Sequence, residues 1–452
     1  MDMHRYSGET ERLAQAVMRI ALDRLRMDAP LDGPRTPADL AARAGQTITA
    51  QGLGGNEALR LWTDVLGPAT MSVDHPRYLA FIPGAPTESS TLFDLVVGAS
   101  SLYGGSWLES SGAVYAENQA LRWVCDLVGL PDGSGGCFVQ GGTVGNLSAL
   151  VAARHAALER RGGERPARWS VAITDETHSS VVYALNNVMD VDTLMVPADE
   201  RGRMTGAALE AALAAAGDQH VFAVVATSGT TNAGVVDDLA GVADVCRAHG
   251  LWMHVDGAYG GAALAAPSVR HLFAGVEHAD SFIVDPHKWL FSPFDCCALV
   301  YRDPAIARRA HTQHAGYLDV VNVEGEWNPS DYALHLSRRA RGLPFWFSLA
   351  AHGSDAYRDA IESTLQVARE SAQEIRNRSY LELLVEPDLS VLIFRRIGWG
   401  AEDYEAWSAR LLAEGYAFVT PSTHRGEPCT RFAIVNPRTT VSDLTGILAT
   451  MA

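Results

Sequence analysis

Five times in the first two thirds of the chain, a short run of apolar residues ends in a turn rich in Gly, Ser, Thr or Asp. The runs are Cys137–Val139, Trp169–Ile173, Val221–Ala226, Leu251–Val255 and Ser281–Val284, and most are followed by a helix-like stretch. Their spacing of about 30–50 residues is that of strand–helix–strand units. The runs are mostly apolar rather than alternating, so both faces of each strand must be covered. These features predict an α/β fold with a mostly parallel sheet and helices on both faces. In open sheets of this kind ligands bind beyond the carboxyl ends of the strands. The residues that follow each run are therefore the first place to look for chemistry.

After the first run comes Gly141-Gly142-Thr143-Val144, leading into an apolar helix from Leu147 to Leu158. A glycine turn opening a helix aims free backbone N–H groups at one point, which suits a phosphate, although the same pattern serves as an ordinary strand-to-helix turn. No lysine follows, so it is not a Walker P-loop. The second run leads to Thr177-His178-Ser179-Ser180, where His178 is either structural or a site residue. The third ends in Thr227-Ser-Gly-Thr-Thr231, whose first threonine is a ring-oxygen donor or part of the turn, and Val236-Asp237-Asp238 then caps a helix over Leu239–His249. Asp256 closes the fourth run. A carboxylate there is costly to bury without a partner. A pyridinium N–H is one candidate, a metal or a helix cap the others, and no His/Cys/carboxylate cluster supports a metal.

The fifth run ends in Asp285-Pro-His287-Lys288-Trp289. Of 36 Lys plus Arg in the chain, Lys288 is the only lysine. Where an ordinary cation is needed, arginine supplies it. Lysine alone can lose its proton near neutral pH and form a Schiff base with an aldehyde. Pyridoxal 5′-phosphate (PLP), the common aldehyde cofactor, needs a carboxylate at its ring nitrogen, donors for its phosphate, a flat group on its ring face and donors near its phenolate. The strand ends offer one candidate for each.

The remaining sequence narrows the class. A formal charge of −17 makes nucleic acid an improbable partner. No apolar run reaches the roughly 18–20 residues that span a bilayer, which argues against a membrane protein. Six scattered cysteines without a Cys-x-x-Cys pair suggest a reducing, cytoplasmic setting. Glu9–Leu25 has the spacing of an amphipathic helix that needs a partner surface. His75–Gly84 and Tyr103–Trp107 are aromatic and broken by Pro or Gly; each is buried packing or the lining of a pocket. From Ala315 a polar stretch runs to Asp331, as a loop over a site would, with Tyr317 as proton donor or packing residue. A long helical region then leads to a small C-terminal α+β portion, with strands expected at Leu389–Phe394 and Thr430–Val435 and helices at Asp403–Glu414 and Val441–Thr450.

Taken together, His75-Pro-Arg, Gly-Gly-Thr143, Thr177-His-Ser-Ser180, Thr227-Ser-Gly-Thr-Thr231, His254-Val-Asp-Gly-Ala258, Asp285-Pro-His-Lys-Trp289, Ser337-Arg-Arg and Arg431-Phe-Ala-Ile resemble the group II PLP-dependent decarboxylases, the family of aromatic-L-amino-acid decarboxylase. The resemblance implies fold type I (aspartate-aminotransferase-like), a homodimer with sites at the subunit interface, and three parts: a dimerising helical segment over 1–88, a large PLP domain over 89–350 and a small domain over 351–452. It makes Lys288 the Schiff-base lysine, Asp256 the partner of the ring nitrogen, His178 the stacked imidazole, Ala258 the methyl beneath the ring and Thr227 a nearby donor. Thr143 and Val144 fall on the phosphate loop, and Asp285 and His287 where the family touches phosphate or bound ligand, although relatives often carry Asn in place of Asp285. Tyr317 matches the proton donor to the substrate carbon. Phe81, Ile82, Pro83, Gly84, Tyr103 and Gly105 match the side-chain pocket, and Gly105 replaces a larger group, which would enlarge it. The expected reaction is decarboxylation of an aromatic or large apolar L-amino acid to its amine. The alternatives are a decarboxylating aldehyde synthase or an aminotransferase or lyase on the same fold, with Arg431 then anchoring a carboxylate.

Overall fold

The computed structural model describes residues 4–217, 220–315 and 325–452. Its centre is a seven-stranded sheet built from β1 (Gly135–Val139), β2 (Ser170–Ile173), β3 (Asp192–Met195), β4 (Val221–Thr227), β5 (Trp252–Asp256), β6 (Ser281–Val284) and β7 (Cys297–Tyr301). The order across the sheet is β1-β7-β6-β5-β4-β2-β3. Pairings from β3 through β6 are parallel, and only β7 runs against its neighbours, so β1 points the same way as β6. The mostly parallel sheet expected from the sequence is present.

The prevailing apolarity of the runs has the cause inferred for it. Phe138, Val224, Val255 and Phe282 enter one core, while Val139, Val225, Trp252 and Ile283 enter another on the opposite face. Successive strand residues alternate between two buried layers. Helix Gly142–Arg160 covers one of these faces, with Ala149, Ala152, Ala153 and Ala156 close against the strands.

A second sheet, β8 (Leu381–Val385), β9 (Val391–Arg396), β10 (Thr420–His424) and β11 (Glu427–Ala433), is antiparallel in the order β10-β11-β9-β8 and has its own core around Phe394, Tyr404, Trp407 and Phe432. The Pro-bounded stretch 75–84 is not helical. Leu79 donates to the Phe418 carbonyl and accepts from Ala433 N, so this segment is laced to the small sheet before it reaches the large one. Among the described residues no helix is long and apolar enough to cross a membrane.

One buried ion pair ties the large sheet to the chain that follows Asp331. The Arg338 guanidinium, with no exposed side-chain surface, holds both Glu117 oxygens at 2.8 and 3.1 Å. Glu117 also accepts from Gly342 N at 2.8 Å, and Arg338 donates to the Phe138 carbonyl at 3.0 Å. Removing one partner strands the other charge in the core. Glu117→Ala is therefore expected to cost about 3–5 kcal/mol, measured as a fall in unfolding free energy by denaturant titration.

Candidate active site

Gly141–Thr143, His178 and Lys288 come after β1, β2 and β6, and Thr227 and Asp256 end β4 and β5; because those strands share a direction, all of them meet at one sheet edge. All of them line a single cavity of about 270 Å³. The turn that carries Lys288 is short and firmly held. Lys288 N donates to the Asp285 carbonyl at 2.9 Å, and the buried Trp289 donates to Thr364 Oγ1 at 3.0 Å while stacking on Tyr259. The lysine backbone is thus fixed, and its side chain, 24% exposed, reaches into the cavity.

Lys288 Nζ lies 3.0 Å from Asp285 Oδ2. Burial works to lower the amine's pKa, but Asp285, followed by Asp256, outweighs it and holds the amine above the ordinary lysine value. Burial likewise works to raise the Asp285 carboxyl, and Lys288 and His287 overcome it, leaving the acid below its ordinary value. His287 Nδ1 lies 2.7 Å from the Cys296 carbonyl and 3.2 Å from the Cys296 N–H, so either tautomer finds a partner there. His287 Nε2 faces Asp285 at 3.7 Å.

On the opposite wall Asp256 is 5% exposed, and each of its oxygens has one donor: Asn146 Nδ2 at 2.8 Å and Ala258 N at 3.0 Å. Thr227 is set by Asp237, which accepts from Thr227 N and Met204 N, both at 2.7 Å. Burial pushes the Asp237 carboxyl up to about 7, against the pull of those two N–H groups. Of the two aspartates read as caps for helix Leu239–His249, only Asp238 takes that role, by accepting from Gly241 N. His178 caps helix Ser179–Tyr183: its Nδ1 accepts from Ser180 N at 3.2 Å, leaving the proton on Nε2.

The phosphate turn differs from expectation in one detail. Helix Gly142–Arg160 starts at the glycine itself, five residues before Leu147. Val144 N already donates to the Gly141 carbonyl at 3.0 Å, and the Val144 side chain packs against the core, so Val144 does not line the cavity. Gly142 and Thr143 do. A Cβ on Gly142 would stand 3.3 Å from both the Ala258 methyl and Asp285 Oδ2, so glycine here lets the turn close against the cavity wall.

The expected substrate-pocket residues divide. Gly84 packs against the backbone of His287, where any side chain would collide with the carbonyl. Phe81, at φ 54° and 61% exposed, is held by Arg431, which donates to its carbonyl at 2.9 Å and to that of Thr231 at 2.7 Å. Arg431 is thus a tie between segments; burial lowers its pKa to about 10. Ile82 is buried. Phe81 to Gly84, Tyr103 and Gly105 are not among the residues lining this chain's own cavity. The room expected from Gly105 is occupied as well. The Tyr103 ring folds over it, where a Cβ would run into the phenol, and Tyr103 Oη donates to the Leu336 carbonyl at 2.9 Å. Tyr317 lies outside the described residues.

PLP suits these walls. Gln140 Oε1, Thr227 Oγ1 and Asp285 Oδ1 are buried without a protein partner, and all three residues line the cavity. Unpartnered buried polar atoms are rare and call for an explanation, and a cofactor rich in oxygens and protonated nitrogen supplies one. Sequence reasoning passed over Gln140, Glu176 and Phe294, which also line the cavity, and His254, which lies behind Asp256.

The pyridoxal-dependent decarboxylase conserved domain matches residues 58–397. The chain is 30% identical over 389 residues to an aromatic-L-amino-acid decarboxylase of Bacillus atrophaeus, spanning 83% of this chain and 80% of that protein. It is 32% identical over 363 residues to the aromatic-L-amino-acid decarboxylase of Cavia porcellus, spanning 74% of each. The crystal structure of Oryza sativa TDC with PLP and tryptamine superposes with a TM-score of 0.91 over 100% of this chain and 98% of that one, at 24% identity, a likeness of fold. Every cavity residue discussed here lies within the matched span, and the chain belongs to the pyridoxal-dependent decarboxylase family.

Proposed function

We propose that the substrate is an L-amino acid with an aromatic or large apolar side chain, which the enzyme converts to its amine and CO2. The reading rests above all on one juxtaposition: the chain's only lysine in a cavity whose facing walls carry a buried aspartate and a glycine-opened helix. The decarboxylase relatives that act on aromatic amino acids support the substrate class.

When bound, the cofactor supplies an aldehyde for the substrate amine and a ring that accepts the electrons left by departing CO2. Lys288 would be the residue that holds the cofactor covalently, its amine set in the cavity beside Asp285. Asp256 keeps the ring nitrogen protonated, which makes the ring a better acceptor; in a dry site this charge counts for more than in water. His178 and Ala258 would hold the ring, Thr227 Oγ1 would offer a donor to its oxygen, and Gly142 and Thr143 would hold the phosphate. Tyr317 is the proposed proton donor to the substrate carbon.

A homodimer accounts for two further features. Helix Gly8–Arg26 buries none of its residues against its own chain, leaving Val17 and Met18 exposed. Tyr103 and Gly105, expected at the substrate, stand outside their own chain's cavity, as residues lent to a partner's site would.

Incubation with pooled amino acids tests the function. One amine with equimolar CO2 is expected. Oxygen uptake with peroxide would instead indicate an aldehyde synthase, and a keto acid an aminotransferase.

Asp285 adds a spectral prediction. Its carboxylate beside Nζ favours the protonated form of the nitrogen that joins Lys288 to the cofactor. Asp256, Cys297 and His287 are the other titratable neighbours. Asp285→Asn removes the nearest negative charge, so that nitrogen should lose its proton about 1–3 pH units lower, read by spectrophotometric titration. An unmoved midpoint would mean that the Asp285 charge acts elsewhere.

A further inference from the structure

We propose that Trp252, Ser281, His254 and Asn146 form a directed hydrogen-bond chain that fixes the Asp256 carboxylate and aims it at the ring nitrogen of the cofactor. The proposal builds on the reading that Asp256 meets that nitrogen. Trp252, Ser281 and His254 stand outside the cavity lining and Asn146 lines it beside Asp256; all four are assigned a role through that aspartate, as positioning residues.

The direction of every bond follows from the charge at one end. Asp256 Oδ2 is 2.8 Å from the Asn146 amide, and a carboxylate can only accept, so Asn146 presents its NH2 group. Its carbonyl oxygen therefore points the other way, to His254 Nε2 at 2.7 Å. A carbonyl also only accepts, so Nε2 carries the proton. His254 is fully buried, and burial lowers its pKa to about 4; the ring is neutral and Nδ1 is bare. Ser281 Oγ, 2.8 Å from Nδ1, must then donate to it, and Trp252 Nε1 donates to Ser281 Oγ at 2.8 Å. The chain runs from indole to hydroxyl to imidazole to amide to carboxylate, and no link can be reversed without setting an acceptor against an acceptor.

The fold lays these residues in line. Trp252, His254 and Asp256 alternate onto one face of β5, Ser281 is the cross-strand neighbour of His254 on β6, and Asn146 comes down from the covering helix Gly142–Arg160. His254 fixes which end of the Asn146 amide faces Asp256. Without its N–H the amide is free to turn and set its oxygen against the carboxylate. The charged or titratable groups acting on Asp256 are Lys288, from the turn after β6, and His254 on its own strand; Asn146 and Thr227 are neutral.

The test uses purified holoenzyme with cofactor isotope-labelled at the ring nitrogen, whose protonation is followed by NMR against pH, beside cofactor dissociation measured by dialysis. Asn146→Leu and His254→Leu should weaken cofactor binding roughly 10- to 100-fold and move deprotonation of the ring nitrogen to lower pH. His254→Gln, which keeps a donor for the Asn146 oxygen, should restore most of both. Ser281→Ala removes only the far hydroxyl and should give a smaller shift of the same sign, which keeps the test alive if a leucine variant does not fold. Wild-type protonation and affinity in the leucine variants would overturn the proposal, as would a glutamine variant no better than leucine. A wild-type ring nitrogen that never holds a proton would instead overturn the role given to Asp256 itself.

Discussion

Lys288→Ala is expected to lower kcat/KM by about 10³-fold or more and to abolish covalent capture of the cofactor. The substitution removes the only lysine, so the covalent readout is unusually clean. Borohydride reduction of the wild-type holoenzyme should add one cofactor mass per chain on the peptide carrying Lys288, and in the variant no side-chain amine remains to take its place. Loss of activity alone would not prove the point, because Asp285 would then be left buried without its 3.0 Å partner. Two controls separate the causes. Lys288→Arg keeps a positive charge beside Asp285, but a guanidinium stays protonated and does not form the covalent link, so it should be as inactive as the alanine variant. A small exogenous amine should partly restore turnover to Lys288→Ala, because it replaces the missing nucleophile and proton carrier. Activity within tenfold of wild type in either variant would remove the basis of the mechanism.

The cavity was legible in the sequence to the extent that it is built from strand ends. Asp256 ends one apolar run and Lys288 stands in the short turn four residues beyond the end of the next, so no tertiary knowledge was needed to place them at one edge. The chain behind Asp256 was not legible, because it depends on β5 lying beside β6 and on the depth of Asn146 in the covering helix. Tyr103 and Gly105 show a different limit. A missing side chain reads as empty space in a sequence, whereas here a neighbouring ring has moved into it. In the small sheet, β9 and β11 were expected, and β8 and β10 were not. Strand β8 is half-exposed and continues a helical region without a strong turn. Strand β10 is polar and holds Pro421, which only an edge strand tolerates. The helix after the phosphate turn was expected too late because its first turn is glycine-rich and carries no apolar period.

Asp256→Asn should lower kcat by about 10²–10³-fold while leaving KM within a few-fold. The split follows from when the carboxylate is needed. Substrate binding would draw little on the ring nitrogen, whereas the electron pair left by departing CO2 would be drawn toward it. An interaction that strengthens only as that charge develops appears in kcat. The asparagine keeps the volume of a side chain that is 5% exposed, so the cavity should stay intact and the Lys288-linked absorbance should persist. Asn146 and Ala258, however, both donate to this side chain, and an amide can accept from them with only one oxygen. Whichever way the amide turns, one of those donors meets its NH2 group and loses a partner, and a neutral amide has no negative charge with which to hold a proton on the ring nitrogen. Asp256→Asn should therefore show the same loss of ring-nitrogen protonation as Asn146→Leu, but deeper, and the double variant should be no worse than Asp256→Asn alone. Additive losses in the double variant would mean that Asn146 acts on the cofactor by a route that bypasses Asp256.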